Sequence, residues 1–417
     1  MNTAILLGAG SSVAAGFPST SNLTERVLSG TGVKRHTDES YFIEGTELPD
    51  GTTLIVNSIA RRLYAKAERY YSEYGGRQVN YEDIFYLAMQ ASDDLTGEME
   101  NPAVRPFVDE IRADMLSIVE SCRISDLESM QSHELTADTS TSGPELFWEA
   151  AENLDSSDLD SLPMKTSNYI ADIVWRSLCH DPEPDCLSHL NLIVHSCKNA
   201  DVTSISTLCH DTHVEKFLIE QGIALSDGFT EPQNDVRYWN GDFASNVPFI
   251  KLHGSVNWFR LRPEESDWYD ERIGVPVNGD YWHTRTDSDV LQRPLDGRPL
   301  LLIGTFNKIA TYSSGIFREL HYQFRSSINK ADQMVICGYS FGDKGINEEI
   351  IEWYYHKRGR RLVIIHPDPE GLVENARGAI RNKWDDWKDS GSIKRISKKI
   401  EDVCLDEFEE VITCSGL

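Results

Sequence analysis

The sequence predicts a doubly wound, Rossmann-like α/β fold with an inserted, mainly helical second domain. Six short apolar runs rich in branched residues read as buried strands: Thr3–Gly8, Val202–Thr207, Phe249–Leu252, Leu300–Gly304, Gln333–Gly338 and Arg361–His366. Several are followed by a turn and then by helical apolar spacing, the alternation of a parallel sheet covered on both faces. Roughly 160 residues, Arg35 to Asp201, separate the first helix from the second strand, far more than an ordinary loop.

Residues 1–34 and 201–417 are accordingly expected to form the sheet domain and 35–200 the insertion. Within the insertion, Asn57–Tyr74, Tyr81–Gln90, Val104–Cys122 and Asn168–Leu178 carry helical spacing. The Ser-, Thr- and acid-rich stretch Ser125–Ser161 reads as a mobile surface loop. Arg262–Arg298, with Trp268, Tyr269, Tyr281 and Trp282 among many charges, reads as an ordered flap over a face of the sheet.

A chain of 417 residues exceeds what one core of about 250 to 300 residues holds, so two domains are expected. Forty basic against 67 acidic residues leave a net charge of −27, which disfavours direct, autonomous DNA binding and suits either a solvated surface or a basic partner. The eight cysteines, Cys122, Cys179, Cys186, Cys197, Cys209, Cys337, Cys404 and Cys414, show no CxxC spacing, so no metal is expected. Met1–Gly10 lacks the basic leader and cleavage pattern of a secretory signal, and no apolar stretch approaches the roughly eighteen residues of a membrane span. A cytoplasmic protein with reduced thiols follows.

Thr3-Ala4-Ile5-Leu6-Leu7-Gly8-Ala9-Gly10-Ser11-Ser12 puts a glycine pair after a strand and before the helical pattern Leu23–Leu28. Such glycines let a backbone approach a pyrophosphate at a helix N-terminus. Val13 stands where a dinucleotide fingerprint has its third glycine, so a plain strand-to-helix turn remains an alternative at this point.

Three further blocks carry more: Gly16-Phe17-Pro18-Ser19, Lys251-Leu252-His253-Gly254-Ser255-Val256-Asn257-Trp258, and Cys337-Gly338-Tyr339-Ser340-Phe341-Gly342-Asp343 with Ile346-Asn347. With the opening glycines they resemble the sirtuin-like superfamily, specifically the bacterial branch whose members hydrolyse NAD in antiphage defence. Asn80-Tyr81-Glu82-Asp83 also looks like that branch. The resemblance implies that Gly8, Ala9, Gly10, Ser11 and Ser12 hold the phosphates of NAD, and that Phe17, Pro18 and Ser19 line the nicotinamide end. It places Gly338, Tyr339 and Ser340 against the adenosine half and His366 at a ribose or adenine. His253 fits the general base, a role worth about two to four powers of ten in rate. Asp343 and Asn347 equally suit cap or turn positions.

After the second strand the family usually shows Thr-x-Asn-x-Asp, whereas this chain reads Thr207-Leu208-Cys209-His210-Asp211. A thiol cannot offer an amide's paired donor and acceptor. Three explanations stand: a water or His210 takes the role, the site is degenerate, or the alignment is off by one. Cys209 as a nucleophile next to His210 is disfavoured because neighbours on a strand point to opposite faces. Thr212-x-x-Glu215 matches a capping box, which gives Asp211 and Thr212 a structural use as well.

Protein-deacylating sirtuins carry a four-cysteine zinc module that this chain lacks, so the resemblance implies an NAD glycohydrolase, with NAD as substrate. The alternative is a catalytically silent NAD- or ADP-ribose-binding subunit of a defence complex. A homo-oligomer and a separate partner, a HerA-type ATPase or a sensor protein, are expected by the same resemblance. The chain has no phosphate-loop motif of its own.

Overall fold

Five of the six apolar runs form strands of one parallel sheet in the computed structural model, which describes residues 1–44, 50–74, 76–97, 105–124, 156–182, 184–264, 270–286, 288–305 and 307–413. Numbered along the chain, its strands are β1 (Thr3–Leu7), β4 (Val202–Thr207), β5 (Leu225–Ser226), β7 (Val247–Lys251), β12 (Gln333–Cys337), β13 (Arg361–Ile365) and β14 (Ile393–Ile396). They lie in the order β14-β13-β12-β1-β4-β7-β5, every pairing parallel. All residues of β1, β12 and β13 are buried, as strands covered on both faces require. The sheet grows outward from β1 first to one side and then to the other, so the fold is a doubly wound α/β fold whose topological switch lies between β1 and β12.

The run Leu300–Gly304 is not a strand. Pro299 precedes it, and the N–H groups of Leu300 and Leu302 donate to Trp258 and His253 carbonyls, so the run is consumed as a loop that ties down the turn after β7. Only Leu301 pairs, as an isolated bridge with Gly254. Two strands left no apolar run: β5 is two residues long, and β14 alternates buried Ile393 and Ile396 with Lys394 and Arg395.

Arg262–Arg298 contributes most of a five-stranded antiparallel sheet of β6 (Val236–Tyr238), β8 (Phe259–Pro263), β9 (Arg272–Pro276), β10 (Thr284–Arg285) and β11 (Leu291–Pro294) in the order β10-β11-β8-β9-β6. Tyr281 stacks on Phe259, centroids 4.4 Å apart at 5°. Trp268 and Tyr269 lie outside the described residues.

The chain divides into two units: Met1–Ser19 with Leu178–Leu302 and Phe306–Leu417, and Thr20–Ser177 with Ile303–Thr305. The second holds the hairpin β2 (Val33–Arg35) and β3 (Tyr41–Ile43) and the helices Thr20–Ser29, Gly51–Tyr74, Tyr81–Thr96, Arg105–Ile124 and Ser156–Ser177. Asn80 starts one helix with a capping box, accepting from Glu82 and Asp83 N–H while Asp83 accepts from Asn80 N–H. Asn57 Nδ2 fixes another by donating to Val27 O and Tyr169 Oη, both at 2.9 Å. Of the loop expected over Ser125–Ser161, residues 125–155 lie outside the described set and Ser156–Ser161 begin the last helix. No helix among the described residues is long and apolar enough to cross a membrane.

Candidate active site

The C-terminal ends of β1, β4, β7 and β12 bring together the turns that carry the sequence motifs, where open parallel sheets place their ligands. The turn after β1 leads into a five-residue helix, Ala9–Val13, rather than directly into the longer Thr20–Ser29. Its glycines serve close packing against the turn after β12. A Cβ on Gly8 would lie 2.5 Å from Gly338 O, and one on Gly338, at φ +66°, would lie 2.3 Å from Ser11 N. Gly8 N–H donates to Cys337 O and Gly10 N–H to Gly338 O at 2.9 Å, and Ser11 N–H to Gly8 O at 3.0 Å. Ser11 Oγ also donates to Gly8 O. Those three N–H groups, on residues the resemblance assigns to the phosphates, donate inside the protein.

His253 follows β7. Its Nε2 lies 2.7 Å from Tyr312 Oη and 3.1 Å from Asp343 Oδ2, and Tyr312 donates to the same carboxylate oxygen at 2.8 Å. The other oxygen, Asp343 Oδ1, accepts from Gly345 and Ile346 N–H at 2.9 and 3.2 Å and so caps the helix Lys344–His356. One buried aspartate therefore takes the cap role the sequence offered for it and also holds His253. Burial works to raise its carboxyl, but the His253 hydrogen bond and the Lys308 charge override this and hold it well below the usual carboxylate range. An ionised Asp343 accepts all four bonds, so Nε2 carries the proton and Nδ1 is the basic nitrogen of His253. Gly254 is obligatory beside it: φ is +77° and a Cβ would meet Leu300 O at 2.0 Å.

At the end of β4 the side chains divide. Cys209 is buried, its thiol in contact with the Ser12 and Thr207 side chains and pushed up to about 12 by burial, which removes it as a thiolate nucleophile. His210 turns the other way, its ring centroid 6.1 Å from that of His253. Asp211 is buried, accepting from Ser12 Oγ at 2.8 Å and paired with His213 Nδ1. Burial works to raise its carboxyl too, but the His213 partner prevails and holds it at about 2. Lys251 Nζ bonds Asp211 O and, at 2.8 Å, Glu215 Oε1. Glu215 is thus engaged elsewhere, and Thr212 makes no side-chain cap bond, so the expected capping box does not form.

Buried Phe17 is flanked by the His213 ring at 4.9 Å and the His180 ring at 4.4 Å, while Pro18 and Ser19 are half-buried on the same loop. Ala9 and Ser340 are exposed. Tyr339 is buried, its hydroxyl bonding Asn347 Oδ1 at 2.8 Å and Asp343 O at 3.0 Å, so it pins its own turn to the following helix. His366 Nδ1 accepts from Asp368 N–H at 3.0 Å in the turn after β13, a local role. Tyr312, Lys308 and His213 were missed. Tyr312 and Lys308 stand in no motif, whereas His213 could have been noticed two residues after Asp211. Among the described residues no group of three His, Cys, Asp or Glu is placed to hold a metal ion.

No family model matches this chain, and neither does any curated protein. Solved structures to which it is similar include a Sir2 homologue–NAD complex, 12% identical over 99% of this chain and 89% of that one, TM-score 0.37. A Sir2 homologue mutant bound to ADP-ribose is 11% identical over 99% and 92%, TM-score 0.36. A second such complex is 13% identical over 54% of this chain and 66% of that one, TM-score 0.30.

Proposed function

We propose that the chain is an NAD glycohydrolase that cleaves NAD to nicotinamide and ADP-ribose, and that it belongs with the bacterial antiphage-defence branch its motifs resemble. The observation that carries this reading is the buried His253–Asp343–Tyr312 cluster at the C-terminal end of the sheet. As nicotinamide leaves, positive charge builds on the ribose, and the site must supply a base to the incoming water. His253 is that base: Asp343 holds the Nε2 proton, so Nδ1 faces the task of taking one. The buried carboxylates of Asp343 and Asp211 favour the developing positive charge. The base cluster fits NAD. The N–H groups of Gly8, Gly10 and Ser11 do not, and a phosphate grip through them is no part of this reading.

The test is nicotinamide release by the purified chain and by His253→Ala, which should be slower by at least about a hundredfold. A silent NAD- or ADP-ribose-binding subunit is the second reading, favoured by Cys209 and by the spent glycine N–H groups. Tight NAD binding with no release under any activating condition supports it and contradicts the first. We further place the protein in the cytoplasm, as a homo-oligomer beside a separate ATPase or sensor protein. Co-purification with the product of a neighbouring gene checks that.

A further inference from the structure

His210 ends β4 with its ring facing that of His253, centroids 6.1 Å apart at 38°. Its backbone is clamped, since its carbonyl accepts from Val256 N–H at 2.9 Å and from Ser255 Oγ at 3.2 Å, and the turn cannot swing the ring away without losing both. Yet Nδ1 of this buried ring has no hydrogen-bond partner, a state that folded proteins rarely leave unused. Each ring nitrogen lies about 1 Å from its centroid, so nitrogens turned toward one another across this separation stand about 4 to 5 Å apart, a distance that one oxygen bridges in a bent arrangement with two hydrogen bonds of about 2.8 Å.

We propose that His210 is a second catalytic residue of this site, in contact with the water that His253 deprotonates, so that the two imidazoles orient one oxygen between them. The proposal rests on the hydrolase reading above. Burial first, then repulsion from His253 whenever that ring is protonated and from the Lys308 and Lys251 charges, hold His210 well below its ordinary pKa, against the pull of Asp211. It is a neutral ring with one donor and one acceptor nitrogen, the pair an amide offers and the adjacent Cys209 lacks. In the step, the water gives one proton to His253 and its oxygen forms the bond to ribose C1′. The C1′–N bond to nicotinamide breaks, and its electron pair leaves with neutral nicotinamide. ADP-ribose carries the new hydroxyl, and the proton passes from His253 to solvent.

The experiment measures nicotinamide release, ADP-ribose binding and melting temperature for the wild-type chain, His253→Ala, His210→Gln and His210→Leu. Leucine keeps bulk and removes both polar nitrogens, and because Nδ1 has no partner to lose, the variant should fold; glutamine restores a donor and an acceptor. Expected is a kcat about a hundredfold lower in His210→Leu with KM, ADP-ribose binding and melting temperature little changed, and substantial recovery in His210→Gln. With wild type active and His253→Ala inactive, His210→Leu as fast as wild type, or His210→Gln as slow as His210→Leu, overturns the role of His210 alone. A wild type that binds ADP-ribose but never releases nicotinamide overturns the hydrolase reading and this role together.

Discussion

Asp343 shows how much one residue can carry. Its two oxygens divide between a helix N-terminus and a histidine, and only the second use concerns chemistry. Asp343→Asn separates them: asparagine still caps a helix but cannot stabilise a proton on His253 as a carboxylate does, so nicotinamide release should fall by about tenfold or more, with a lower melting temperature because a buried, hydrogen-bonded carboxylate is lost. At the same scale the buried titratable groups set a pH profile for stability. Burial holds His210 and His189 below the ordinary value of 6.5, so the unfolded chain takes up their protons first and stability starts to fall as the pH drops below that value. Asp211, at about 2 against 3.8, contributes about 2 kcal/mol that is present above 3.8 and lost on acidification toward 2. Melting temperature against pH should therefore decline in two stages, and a flat profile down to about pH 4 would contradict the buried neutral histidines. His253 was legible in the sequence because a motif surrounds it. Tyr312, which touches it, was not, since nothing local to residue 312 announces a partner 59 positions away.

The elements behind the site are two turns pressed backbone to backbone. Gly8 and Gly10 look in sequence like a phosphate cradle, and the same glycines are what the approach of Gly338 demands. Sequence alone could not tell these apart, because both uses need a missing Cβ. The structure predicts that Gly338→Ala, forced into the left-handed region and against Ser11 N, costs about 2 kcal/mol or more, measured as a lower urea midpoint. An unchanged midpoint would mean that the two turns do not meet as described. Strands were legible where they are buried on both faces, as β1, β12 and β13 are, and illegible where they are short, as β5 is, or half-exposed, as β14 is. Leu300–Gly304 misled for the opposite reason: it is apolar because it lies against the site's turn, not because it joins the sheet.

At the scale of the whole molecule, a net charge of −27 makes the folded state repel itself. Raising ionic strength from low to physiological should therefore raise the melting temperature, and a fall would point to attractive networks outweighing that repulsion. The doubly wound order and the helical character of the long segment between β1 and β4 were legible, since the alternation of runs and turns and the 3.6-residue spacing are both local signals. The antiparallel sheet was read only as a flap, because its strands are short and rich in charge. What the assembled site does is tested most directly by the release of nicotinamide from NAD by the purified 417-residue chain, with His253→Ala run beside it. The wild type should release nicotinamide, with ADP-ribose formed in equal amount, and the variant should lose this release almost completely. Release that survives His253→Ala undiminished would contradict this.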